Sequence, residues 1–186
     1  PLTFGFGPQW QPVYNQRQTL ILRNDRAMPR AWLVSKAEAV DGEEALRRIR
    51  GESAHPFDPQ QTVLLEIDGS ELPLLSGTSS SDNTASIVRY GPNRIELETN
   101  SSTATVLVLS EIFYPGWQAT VDGQPTRILL ADYLLRGVSL PPGSHSVVMK
   151  YAAPAARTGA IISFVTFGIL GLIVFHSRRT RKTERN

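Results

Sequence analysis

The sequence predicts a mainly β protein: an antiparallel β-sandwich of about nine strands with one short helix, followed by a C-terminal transmembrane helix. Short segments rich in Val, Ile, Leu and Thr recur between residues 19 and 151, and Gly, Pro, Asn and Asp turns separate them. Helix character is confined to one short segment before residue 154. An uncharged run of 18 residues, TGAIISFVTFGILGLIVF at 158–175, then precedes a basic cluster, as at the end of a membrane span.

Each strand prediction depends on a β-rich segment between two breaks. Asp122-Gly123 is the strongest turn signal, since Asp-Gly favours a two-residue hairpin. Residues 43–50 are good helix formers with Asp41 in position to cap them. The predicted strands are 19–23, 31–37, 62–67, 85–90, 94–100, 103–112, 118–121, 126–130, 134–140 and 146–151.

Four regions follow from this pattern. Residues 1–18 are rich in Pro, Gly and Gln and are predicted to be a loop that leads into the domain. Residues 19–153 form the sandwich, 154–176 the transmembrane helix, and 177–186 a basic cytoplasmic tail. As a helix the apolar run is about 27 Å long, close to the thickness of the hydrocarbon core.

Charge places the two ends on opposite sides of the membrane. The tail carries a net charge of +4, so the remaining chain carries −2 although the total is +2. Basic residues after a span indicate a cytoplasmic end, which makes residues 1–153 extracytoplasmic. The basic pI therefore gives no support for nucleic-acid binding, and 1–157 has no aromatic and basic pattern of that kind. Since the chain begins with Pro1 and lacks a signal peptide, we expect a C-terminal fragment of a longer membrane protein.

A buried charge pair is predicted between two strands. Glu111 and Arg136 each stand among apolar residues, where a charge needs a partner. One interpretation is a structural ion pair that fixes strand register. The other is a site for acid–base chemistry or sugar binding, but no second acid stands nearby at a suitable spacing.

Three aromatic residues are candidates for sugar or polymer contact. Tyr114, Trp117 and Trp32 could present flat faces to a pyranose ring, while the alternative is core packing around the Pro115-Gly116 turn. The three histidines are far apart in sequence and no metal-ligand spacing exists, so no metal and no cofactor is predicted. No catalytic residue is predicted either.

Several motifs together resemble the C-terminal region of YfhO-type bacterial membrane proteins. They are SEIFYPGWQATVDG at 110–123, LRGV at 135–138, LPPGSHSV at 140–147 and PRAW at 29–32. Phe113 departs from that pattern, in which Tyr is common. The closing apolar segment fits as well, so the resemblance covers nearly the whole chain.

The resemblance implies a role in the cell envelope. The family is similar to polytopic GT-C glycosyltransferases, which transfer sugar from a polyprenyl-phosphate donor at the outer face of the membrane. Their catalytic acids lie in an early loop outside these residues, so the resemblance implies an accessory domain that shapes the acceptor site. The implied partners are upstream transmembrane helices, the bilayer, the lipid-linked donor and an envelope polymer. The alternative is a membrane-anchored, non-catalytic β-sandwich that binds sugar or protein.

Overall fold

The computed structural model describes residues 9–75 and 82–183, and their side chains except 154–157 and 173–183. These ranges contain thirteen strands and two α-helices, so the predicted mainly β class is confirmed. The helices are α1 (Gly42–Ile49) and α2 (Pro154–Thr183). The strands are β1 (Trp10–Gln16), β2 (Thr19–Asn24), β3 (Ala31–Val34), β4 (Ala37–Ala39), β5 (Val63–Leu65), β6 (Thr84–Gly91), β7 (Arg94–Ser101), β8 (Thr105–Ile112), β9 (Trp117–Val121), β10 (Gln124–Thr126), β11 (Leu129–Ala131), β12 (Leu135–Leu140) and β13 (Gly143–Tyr151).

The strands form three sheets. A five-stranded sheet has the order β10-β9-β13-β7-β6, and a six-stranded sheet has the order β3-β8-β12-β11-β5-β4. The remaining two strands, β1 and β2, pair only with each other. All pairs are antiparallel except β4 with β5, which is parallel. The sequence predicted a purely antiparallel sandwich. The parallel pair corrects that prediction.

The two large sheets share one apolar core. Residues of the five-stranded sheet such as Leu97 and Met149 pack in one cluster with Leu107, Leu109 and Val138 of the six-stranded sheet. Strand β8 is buried on both faces, because its alternate residues belong to a second cluster on the other side of the same sheet. This two-sided burial explains why β8 reads as a continuous apolar run instead of an alternating one.

Local signals in the sequence predicted two features correctly. Asp41 caps α1, and its side chain accepts a hydrogen bond of 2.8 Å from the Glu44 N–H. The Asp122-Gly123 turn joins β9 to β10 with φ values of 51° and 81°. Two successive positive φ angles define the primed turn that suits the twist of a hairpin.

Other predictions need correction. The expected loop at 1–18 contains β1, and its first eight residues lie outside the described residues. The predicted strand 126–130 is divided between β10 and β11, and the strand 31–37 ends at Val34, with β4 beginning at Ala37. Helix α2 continues to Thr183, into the predicted tail. Within the described part of the chain, no helix has both the length and the apolar character that crossing a membrane requires. The predicted membrane span stays a prediction.

Candidate ligand-binding site beside helix α2

The candidate site lies at the end of the sandwich from which the chain leaves toward α2. Tyr151 ends β13 and stands opposite Trp117, the first residue of β9. The Ala152 N–H donates to the Gly116 carbonyl over 2.8 Å, which ties the exit of β13 to the turn before β9. Gly116 has a φ of 101°, a conformation that residues with a Cβ rarely adopt. The turn therefore requires glycine at this position.

Three aromatic rings gather there. The Trp117 and Tyr151 ring centroids are 5.8 Å apart, and those of Tyr114 and Tyr151 are 6.3 Å apart, both pairs tilted. The rings line a recess of about 430 Å³ together with Pro92, Asn93, Glu111, Ile112 and Arg136. We call this feature the aromatic recess. The structure thus brings together two of the three aromatic residues that the sequence singled out.

Arg136 forms the buried charged wall of the aromatic recess. Its guanidinium carbon lies 3.9 Å from the centroid of the Trp117 ring, within range of a cation–π interaction. Its Nε donates to the Ile112 carbonyl over 2.9 Å, while the buried Nη1 has no hydrogen-bond partner. The residue is only 4% exposed. Burial lowers the pKa of Arg136, and the negative charge of Glu111 opposes that shift.

Glu111 is engaged by a different cation from the one predicted. Its Oε1 accepts hydrogen bonds from Arg30 Nη2 at 2.8 Å and from the Tyr90 hydroxyl at 2.5 Å. The Arg30 guanidinium also stacks over the Tyr90 ring at 4.8 Å. We predicted an ion pair between Glu111 and Arg136, and the structure pairs Glu111 with Arg30 instead. Arg30 directly precedes β3. Because β3 lies beside β8 in the sheet, the Arg30 side chain reaches the Glu111 carboxylate.

The Glu111 carboxylate also acts on its neighbour. The hydrogen bond to Glu111 is the main cause of a raised pKa for Tyr90, because the carboxylate accepts the hydroxyl proton and would repel a phenolate. Tyr90 therefore remains a hydrogen-bond donor at physiological pH. The geometry around Glu111 is that of a structural link between β3, β6 and β8.

Trp32 lies in another part of the domain. Its Nε1 donates to the Pro59 carbonyl over 2.9 Å, and its ring packs against the second apolar cluster. It lines a separate cavity of about 520 Å³ with Met28, Leu46 and Phe57 among others. The expectation that Trp32 would join Tyr114 and Trp117 is therefore wrong.

The same cavity contains an unusual carboxyl group. Asp132 is 6% exposed; its Oδ1 accepts from the Leu64 N–H over 2.9 Å, and its buried Oδ2 has no partner. Burial raises the pKa of Asp132 to about 6, although the Leu64 N–H opposes this. Asp132 and Tyr133 have φ values of 47° and 72° and form the turn between β11 and β12.

Sequence reasoning missed three residues of the site. Tyr151 belongs to the site because the strand register places it opposite Trp117. Arg30 forms hydrogen bonds with both Tyr90 and Glu111. Arg30 was part of the PRAW motif but had no assigned role. A register derived from the Asp122-Gly123 hairpin would have aligned β9 with β10 only, so it would not have found Tyr151. In the described ranges no three His, Cys, Asp or Glu side chains are grouped as metal ligands would be.

Comparison with known proteins is informative for this same part of the chain. The model of the family described as "Bacterial membrane protein YfhO" matches residues 75–163, which include β6 to β13 and the whole turn around Trp117. Residues 75–163 are thus similar to this family. The resemblance predicted from the motifs is confirmed for these residues, which make up just under half of the chain.

One curated relative illustrates how partial the match is. The "Uncharacterized protein YfhO" of Bacillus subtilis (strain 168) is 28% identical over 94 residues. The aligned region covers 50% of this chain and 11% of that protein, so the comparison reaches only a small part of the relative. No solved structure matches.

Proposed function

We propose that this chain is a C-terminal accessory domain of a polytopic bacterial membrane protein that transfers sugar from a lipid-linked donor to a cell-envelope polymer. The sandwich lies outside the cytoplasm, α2 crosses the membrane, and the domain shapes the acceptor site without catalytic residues of its own. One observation carries the proposal: the aromatic recess opens at the point where β13 runs into α2. Ring faces of this kind suit sugar rings, whose CH groups stack on them.

The membrane span is supported by the surface of α2. The helix has 30 residues, and side chains such as Ile162, Phe164, Phe167 and Leu172 are largely exposed. Exposing each such side chain to water costs about 1.5–3 kcal/mol relative to burial, whereas lipid removes that cost. The basic residues from Arg178 onward favour a cytoplasmic end.

Topology is tested with a reporter fused to the C-terminus. We expect a cytoplasmic reporter to be active and one that functions only outside the cytoplasm to be inactive. The opposite pattern would overturn both the orientation and the extracytoplasmic placement of the sandwich.

Recognition of the acceptor depends on the aromatic recess. Trp117, Tyr114 and Tyr151 supply apolar faces, and Arg136, a largely buried cation, also lines the recess. Its positive charge favours a ligand that carries an anionic substituent. The combination fits a saccharide better than a purely apolar ligand.

The accessory role follows from the state of Glu111. Transfer to a hydroxyl group requires a general base that can reach the acceptor, usually a carboxylate. The Glu111 carboxylate already accepts hydrogen bonds from Arg30 and Tyr90. These bonds support a structural role for Glu111, and we propose that the base for transfer comes from elsewhere in the longer protein.

Binding tests the recess directly. The chain in detergent micelles is titrated with oligosaccharides released from the envelope polymer, and affinity is measured by calorimetry. Tyr114→Ala should weaken binding about tenfold, or ~1.4 kcal/mol, while Tyr14→Ala, an exposed tyrosine outside the recess, should bind as the native chain does. Equal binding by both variants would overturn the proposed recess.

The alternative is a membrane-anchored, non-catalytic module that binds sugar or protein. Both functions use the same recess, so binding alone does not separate them. Transfer from a polyprenyl-phosphate sugar by the longer protein, lost on removal of this domain, favours the accessory role. Binding without any transfer favours the module.

A further inference from the structure

Four exposed apolar side chains lie at the end of β8 and in the turn before β12. They are Ile112 at 65% exposure, Tyr114 at 59%, Leu134 at 43% and Tyr133 at 40%. The Phe113 N–H donates to the Leu134 carbonyl over 2.7 Å, and Ile112 stands opposite Leu135 in the sheet. The end of β8 and the start of β12 are therefore neighbours at this end of the sheet. We call this surface the apolar tip.

The apolar tip lies at the same end as α2. The ring of Tyr114 contacts Tyr151, the last residue of β13. Three Cα–Cα steps lead from Tyr151 to Pro154, where α2 begins, and they span at most about 11 Å. The uncharged run begins one helical turn later, or ~6 Å along the axis.

These lengths bring the tip to the membrane surface. If α2 spans the bilayer, the end of β13 lies within about 17 Å of the beginning of the hydrocarbon run. The headgroup layer on each side of the core is roughly 5–8 Å thick. A domain tethered this closely has no room for a thick layer of water beneath it.

The chemistry of the tip fits that layer. Tyrosine rings concentrate at membrane interfaces because they have an apolar body and a polar hydroxyl group. Ile112 and Leu134 gain by leaving water. Of the acids at this end, Glu111 is paired with Arg30 and Asp132 is buried, so anionic headgroups meet little repulsion.

We propose that the apolar tip rests in the interfacial layer of the bilayer and holds the aromatic recess open at headgroup level. This inference rests on the proposed membrane span of α2. A membrane span alone does not require contact between the sandwich and the lipid, so the inference adds to the proposed function. It assigns the tip one partner, the lipid surface.

Single cysteines test the proposal, because the chain contains none of its own. Ile112→Cys and Leu134→Cys place a label on the tip, at side chains whose exposure makes substitution mild. Ser144→Cys is the matched control at the other end of β13, seven residues from Tyr151 and so roughly 24 Å away. Phe167→Cys places a label within α2.

Each variant carries an environment-sensitive fluorophore and is reconstituted in vesicles of phosphatidylethanolamine and phosphatidylglycerol. A nitroxide on the lipid headgroup region then quenches labels at that depth. We expect blue-shifted, quenched emission from the labels at 112 and 134, and water-like, unquenched emission from the label at 144. The label at 167 should respond only to a nitroxide deep in the acyl chains.

The outcomes separate the two proposals. Labels at 112 and 134 that behave as the label at 144 would overturn docking, even if the label at 167 lies in hydrocarbon. Blue-shifted labels that no lipid nitroxide quenches would mean that protein covers the tip, which also overturns the inference. A water-exposed label at 167 would overturn the span alone, and the labels at 112 and 134 would still decide docking.

Discussion

Arg136 joins the two large sheets by stacking on Trp117. Arg136 belongs to β12 of the six-stranded sheet and Trp117 to β9 of the five-stranded sheet, and the guanidinium carbon lies 3.9 Å from the ring centroid. The stack therefore bridges the sandwich at its open edge, beside the root of α2. It accounts for a buried arginine that is not in a direct ion pair, since the ring face offers partial negative charge in place of a carboxylate.

Replacing the ring of Trp117 should destabilise the domain. Trp117→Leu removes the surface on which Arg136 stacks and leaves a buried cation without that contact. We expect the free energy of unfolding to fall by ~2–4 kcal/mol, measured by denaturant titration followed by circular dichroism. Trp117→Phe keeps a ring and should lose less. Equal losses in the two variants would show that the cation–π contact contributes little.

Glu111→Gln should weaken the link between β3, β6 and β8 without removing a catalytic group. The variant loses its charge against Arg30, and we expect unfolding to become easier by about 1 kcal/mol. The pKa of Tyr90, which Glu111 raises, should fall toward its ordinary value, as measured by NMR titration.

A transfer assay on the longer protein tests whether Glu111 has a catalytic role instead of a structural one. A Glu111→Gln protein that folds normally and binds substrate, yet loses transfer by ~1000-fold, would make Glu111 catalytic. Such a loss corresponds to ~4 kcal/mol of transition-state stabilisation. The accessory role would then be wrong.

Local patterns predicted the elements whose signals are local. The Asp122-Gly123 turn and the cap at Asp41 follow from the conformations that those residues favour, and both are present. Strand β8 was predicted from alternation and from its Val and Leu content. The strand is present, but its first five residues are all buried, so the alternation was wrong.

Pairing over long distances in the chain was less predictable. Arg30 and Glu111 are 81 residues apart in sequence, and no periodicity indicates which strand will lie beside β8. Strand β1 was missed because Pro12 and its polar neighbours give no alternation, and its residues stay exposed in the β1–β2 pair. The separation of Trp32 from the aromatic recess has the same origin: sheet order decides which cavity a side chain faces.

His145 should make stability depend on pH near neutrality. Its Nδ1 lies 2.7 Å from Asp122 Oδ2 and its Nε2 lies 3.2 Å from the Pro141 carbonyl. Both partners are acceptors, so the charged imidazolium satisfies them best, and the Asp122 carboxylate is the main cause of the raised pKa of His145. This stabilisation is complete below the unfolded pKa of about 6.5 and is lost as the pH rises through the raised folded value.

Thermal unfolding across that range provides the measurement. The native chain should unfold at progressively lower temperature as the pH increases above neutrality, and His145→Gln should remove this part of the dependence. His55→Gln is the matched control, since His55 is an exposed histidine and its loss should leave the profile unchanged. A native profile retained in His145→Gln would show that another group is responsible.

Asp132 should reduce stability at neutral pH. Its folded pKa of about 6 lies above the ordinary 3.8, so the folded state holds a proton that the unfolded state has already released. The contribution of Asp132 to stability is therefore most favourable at low pH and falls by up to ~3 kcal/mol as the pH rises from about 4 to 6. Asp132→Asn keeps an acceptor for the Leu64 N–H and tolerates the positive φ, but it cannot ionise.

The difference between the native chain and Asp132→Asn isolates this effect. We expect the variant to gain stability relative to the native chain as the pH rises from about 4 to 7, whatever the constant offset from its unpaired amide. Denaturant titrations at the two pH values give that difference, and Asp58→Asn, at a mostly exposed acid, serves as the control. A difference that does not change with pH would mean that the buried carboxyl group ionises without penalty, through a partner or water that reaches its Oδ2.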